Sequence, residues 1–174
     1  MDTDAYAKFF TDFMRESDRA ALVLGAAQMD ALLEDILAKR LVAPKKDLFS
    51  YNGPFGTFSA RIDSAQVTGV IDKEFANRLH LVRKIRNTYA HEIGTVDLDG
   101  SSASQQITEL AKAFASTSFW HSKLEQASSI YNKNGNSLTL RLAVALLIAN
   151  LAMIAATVRQ IDSSAVYAVI SPYE

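Results

Sequence analysis

"LAVALLIANLAMIAATV", Leu142 to Val158, runs for 17 residues without a charge between Arg141 and Arg159. Such a run has two stable homes. It can cross a bilayer, which takes about 20 apolar residues. It can also become the central helix of a bundle, apolar all round because other helices cover it. This run lies at the short limit for a span, is rich in alanine and holds Asn150 in its middle. A central helix is therefore expected, with no membrane association. Such a helix needs amphipathic neighbours, and the rest of the chain must supply them.

The rest of the chain offers helical periodicity almost throughout. Tyr6, Phe9, Phe10 and Phe13 mark a first helix. A second runs from an Asp18 cap to about Arg40, with Leu22, Ala26, Met29, Leu33 and Ile36 as its inward stripe. "LVAPKKDLFSYNGPFG" is a loop, holding two prolines and two glycines. A third helix starts near Thr57 or Phe58, buries Phe58, Ile62 and Ala65, and stops near Gly69. Asp72 caps a fourth, expected to reach Ile93 and to end at Gly94. A fifth spans about Ser104 to Ser116 with Ile107, Leu110 and Phe114 inward. Trp120, Leu124, Ala127 and Tyr131 give the stripe of a sixth, and Ser137 caps the apolar helix. No run of period two appears. The expected fold is an all-α, single-domain bundle over residues 1–174, with six to seven helices around the apolar C-terminal one.

The chain of 174 residues has no cysteine, so disulfides and thiolate metal sites are excluded. No metal or cofactor is expected. The first residues, "MDTDAYAKFF", are acidic and lack a signal layout, which predicts a cytoplasmic protein. Net charge is −1, too little to draw the whole molecule to nucleic acid. The charge is unevenly placed, however. Residues 1–40 carry five basic and eight acidic side chains, whereas residues 41–92 carry eight basic and five acidic. An anionic ligand would meet the middle segment first.

The fourth helix has two faces. On a wheel of about 100° per residue, Phe75, Leu79, Val82, Ile85, Tyr89 and Ile93 gather on one side, and Arg86 falls among them. A guanidinium there needs a carboxylate, carbonyls or a watery cleft. Burial is the expected outcome, with bonds to an acidic side chain such as Glu34, Asp35 or Asp63, or to carbonyls. The opposite side carries a polar strip of His80, Lys84, Asn87 and His91. His80 and His91 stand roughly 16 Å apart at the helical rise, too far to share a metal within one chain.

Other motifs fall short. "GPFG" lacks the lysine and the preceding strand of a phosphate loop and reads as a turn. No serine lies in a nucleophile elbow. "RIDSAQVTGVIDKEFANRL" has the outline of a helix-turn-helix DNA reader. Its second helix, though, opens with Asp72 and Glu74, carries a full apolar stripe and belongs to a chain of low charge, so direct DNA binding is not expected.

The run from Gly53 to His91, "GPFGTFSARIDSAQVTGVIDKEFANRLHLVRKIRNTYAH", resembles the mannitol operon repressor family of bacteria. The resemblance lies in its Gly-Pro-x-Gly-x-Phe-Ser-x-Arg-Ile opening and its Ile-Arg-Asn-x-x-Ala-His ending, and it covers roughly a quarter of the chain. The ending also looks like the signature of the wider HEPN superfamily of all-helical domains: Arg86, a polar Asn87, then His91.

The resemblance implies two functions. Mannitol repressor-like proteins regulate transcription without an evident DNA-binding module, acting through a protein partner. On that reading Arg61, Asp63, His80, Arg83 and Lys84 are the candidate partner- or ligand-binding residues. HEPN domains commonly pair as homodimers, and several are metal-independent endoribonucleases. On that reading His91 moves protons, Arg86 stabilises phosphate charge and Asn87 orients the RNA. Arg86 and His91 point about 140° apart on an ideal helix. A shared site then needs a helix end or a second subunit.

Overall fold

The computed structural model describes residues 3–90 and 97–162. The α-helices in chain order are α1 (Thr3–Arg15), α2 (Asp18–Arg40), α3 (Phe58–Val67), α4 (Lys73–Ala90), α5 (Ser101–Ala115), α6 (Ser118–Tyr131) and α7 (Gly135–Thr157). A short 3-10 turn, Lys46–Phe49, interrupts the loop between α2 and α3. Among the described residues there is no strand, and the expected all-α bundle is what the chain forms.

The apolar run lies inside that bundle. By length and composition α7 could cross a membrane, yet 67% of its most apolar stretch is buried by the chain's own helices. It packs chiefly on α2 and also on α5, α6 and α1. The inward stripes behave as their periodicity predicts: Leu22, Ala26, Met29, Leu33 and Ile36 are all buried, as are Phe58, Ile62, Ala65, Ile107 and Leu110. Phe114 is half-buried and stacks on Trp120 at 5.8 Å. Close contact between α2 and α7 depends on Gly25. A Cβ there would stand 2.6 Å from Val144 Cγ1 and 3.3 Å from Phe13 Cε2.

The caps are partly as expected. Thr57 Oγ1 accepts from Ala60 N (3.2 Å) at the start of α3, and Asp72 Oδ1 accepts from Phe75 N (2.7 Å) at the start of α4. At α2, Ser17 rather than Asp18 is the cap, its Oγ accepting from Ala20 N (3.2 Å). Asp18 is engaged elsewhere, with Arg141, whose side chain is fully buried (0%). Ser137 is likewise not the cap of α7: its Oγ donates to Asp18 Oδ1 (2.7 Å). Arg141 Nη2 donates to the Glu16 carbonyl (2.7 Å), so the turn between α1 and α2 is tied to α7 by one buried charge cluster. The helix α5 begins at Ser101, three residues ahead of the expected Ser104. Asp97 Oδ1 accepts from Asp99 N and Gly100 N (3.0 and 3.1 Å), which closes the loop and lets the helix start at once. The expected reach of α4 to Ile93, with Gly94 as its stop, lies outside the described residues.

Candidate functional site

The helix α4 is held on one side by Ala76, Leu79, Val82, Ile85 and Tyr89, all buried. Tyr89 Oη donates to the Asp97 carbonyl (2.9 Å), tying the end of α4 to the approach to α5. These anchors fix which way the polar strip faces. A groove of about 690 Å³ runs beside it, lined by Asn77, His80, Leu81, Arg83, Lys84, Asn87, Thr88 and, from α5, Glu109. A second hollow of about 420 Å³ continues towards the start of α4, between Glu74, Asn77, Arg78 and Leu81 on one wall and Glu109, Lys112 and Ala113 on the other. The two share Asn77, Leu81 and Glu109. They form one trough with an apolar floor at Leu81.

The groove brings together three of the expected partner-binding residues, His80, Arg83 and Lys84. Asp63 joins them from α3. Its carboxylate can only accept, so His80 Nε2 carries the proton and donates to Asp63 Oδ1 at 2.9 Å. That bond fixes the ring. It leaves His80 Nδ1 buried and without a hydrogen bond among the described residues. Arg83 and Lys84 have no ion-pair partner among the described residues, whereas Arg78 at the other end is paired with Glu74 (3.2 Å). The free positive charge of the trough therefore sits over the second half of α4, beside an exposed Asn87.

Arg61 is not in this groove. It is 7% exposed, and its guanidinium meets Asp30 (2.8 Å) and Glu34 (2.6 Å) of α2. It also donates to the Phe55 carbonyl (2.9 Å). The part expected of Arg86, a buried guanidinium paired with acids, is thus played by Arg61. Arg86 itself is half-buried and makes no ion pair or hydrogen bond among the described residues. The reason is that its three candidate acids are taken: Glu34 by Arg61, Asp35 by Lys39 (2.6 Å) and Asp63 by His80. Arg86 instead faces a cleft of about 320 Å³ with Val23, Ala26, Ala27 and Asp30. His91 lies outside the described residues. The opposite wall of the trough, Glu109 and Lys112, has no signal in the sequence, since it depends on how α5 packs against α4.

The described residues define an all-α bundle with an open, partly cationic trough along α4. A chain of this architecture is known: the fold is similar to a chain in the X-ray structure of the MtlR–HPr complex from Escherichia coli, with a TM-score of 0.60 over 83% of this chain and 98% of that one. The two are 14% identical, so the likeness is one of fold. No family model matches the chain, and no curated protein matches it.

Proposed function

We propose that this chain is a cytoplasmic transcription regulator of the mannitol operon repressor type, which acts by binding a protein partner along the α4–α5 trough. The observation that carries this reading is the trough itself. Its Arg83 and Lys84 are committed to nothing among the described residues, and its floor is apolar at Leu81. Protein interfaces favour that combination of an apolar centre and charged surroundings. The fold likeness supports the choice of partner, since the similar structure is that of an MtlR–HPr complex. A protein of the HPr kind is the partner we assign to this chain. Direct DNA reading has less support, because the helix that would enter the groove is packed on its own core by Leu79, Val82 and Ile85. Hydrogen–deuterium exchange with Escherichia coli HPr tests the reading. Protection should centre on residues 80–88, and protection confined to α6 or α1 would remove the trough from the account.

One observation favours a second reading, a metal-independent endoribonuclease. Arg86 makes no ion pair among the described residues, although Asp30 lines the same cleft, and the neighbouring Asn87 is exposed, which leaves both side chains available to a phosphate. A shared site with His91 would need either the end of the helix or a second copy of the chain to bring the two side chains together. RNA cleavage in the presence of EDTA, abolished by His91→Ala, would establish this reading over the first. An inert wild-type protein ends it.

A further inference from the structure

The loop between α2 and α3 is more firmly built than a connection requires. Leu48 N donates to the Lys45 carbonyl (3.0 Å), Gly53 N to Ser50 (2.8 Å), Phe55 N to Leu48 (2.8 Å) and Gly56 N to Gly53 (3.0 Å). A Cβ on Gly53 would strike the carbonyls of Asp47 and Leu48, and one on Gly56 those of Ser50 and Tyr51. Only glycine fits at either place. The rings of Phe49 and Phe55 pair at 5.5 Å. Beneath them Arg61 donates to both of their carbonyls while its charge is balanced by Asp30 and Glu34. All of this fixes a turn whose tip adds nothing to the core. Tyr51 is 87% exposed, and Lys45, Lys46, Asn52 and Pro54 of the same loop are exposed too.

We propose that this tip is a second protein-recognition surface, with Tyr51 as an anchor for an apolar pocket rimmed by acidic groups on the partner. Tyrosine offers a large amphipathic surface with few rotors to freeze, and a loop that is already rigid loses little further entropy on binding. Lys45 and Lys46 select an acidic rim by charge complementarity. Single-stranded RNA is the other ligand on which a tyrosine among lysines can stack. Such sites, however, follow a cationic track with successive aromatics. Here one exposed aromatic stands with two lysines and Asp47. The inference rests on the proposed function only for the identity of the partner.

The test is titration of the full chain with Escherichia coli HPr, using the wild type, Tyr51→Ala, Tyr51→Phe, Gly53→Ala and, for the trough, Lys84→Glu, with a melting curve for each. Tyr51→Ala should melt as the wild type does and bind at least about tenfold more weakly, the range of an interface anchor. Tyr51→Phe should stay within about threefold, since the ring supplies most of the contact. Gly53→Ala should bind weakly although Tyr51 is present. If Tyr51→Ala binds like the wild type, the inference is overturned and the trough reading stands. If Tyr51→Ala loses binding while Lys84→Glu does not, the inference stands and the trough reading falls. A wild type that does not bind HPr overturns both. Binding of an oligouridine RNA that needs Tyr51, with HPr binding unchanged by the substitution, overturns it in favour of nucleic acid.

Discussion

Arg141 stands at the threshold of the apolar run and is fully buried, held by Asp18, Ser137 and the Glu16 carbonyl. Removing one member of a buried pair leaves the other charge uncompensated, so Arg141→Met should cost about 3 kcal/mol in denaturant melts. The double variant with Asp18→Asn should lose clearly less than the sum of the two single changes, and strict additivity would deny the coupling. The cluster also sets an acid dependence. Burial pushes the Asp18 carboxyl up, but hydrogen bonds from Ser137 and Arg141 and the charges of Arg141 and Lys133 outweigh it and hold it below its usual value. A carboxyl lowered by folding adds stability above its unfolded pKa, and that stability fades as pH falls through the folded value. Asp18→Asn should therefore flatten the loss of stability below about pH 4. At this scale the sequence was only half legible. A charge among apolar residues correctly signals a guanidinium needing partners, but periodicity alone pointed to Arg86. The residues that meet the requirement are Arg61 and Arg141, because their acids lie far away in the chain and only packing reveals them.

Helices were the most legible elements, since a stripe of period 3.6 depends on local sequence and the core takes it up as it stands. Their ends were less so. Ser17 and Asp18 are both good caps, and the choice between them is made by Arg141 on a different helix. At the α2–α7 contact, Gly25→Ala would force a methyl against Val144 and should cost about 1–3 kcal/mol, the range of an overpacked core. Combining it with Val144→Ala should recover part of that loss. If Gly25→Ala is neutral or stabilising, the helices can separate without penalty and the close approach is not a constraint.

For the molecule as a whole, the net charge of −1 describes the chain poorly, because the useful charge is local. Of the basic residues in the middle segment, Arg61 and Arg78 are paired internally, while Arg83, Lys84 and Arg86 of α4 have no ion-pair partner among the described residues. The sequence supplied one wall of the trough as a polar strip. The other wall comes from α5, which no spacing within α4 can indicate. A protein partner is proposed to read the second half of α4. Calorimetric titration of Escherichia coli HPr into the wild type and into the Arg83→Glu, Lys84→Glu double variant tests it most directly. The expected result is binding by the wild type and a loss of at least about tenfold in the charge-reversed variant, with an unchanged melting temperature. No binding by the wild type, or equal binding by both proteins, would contradict it.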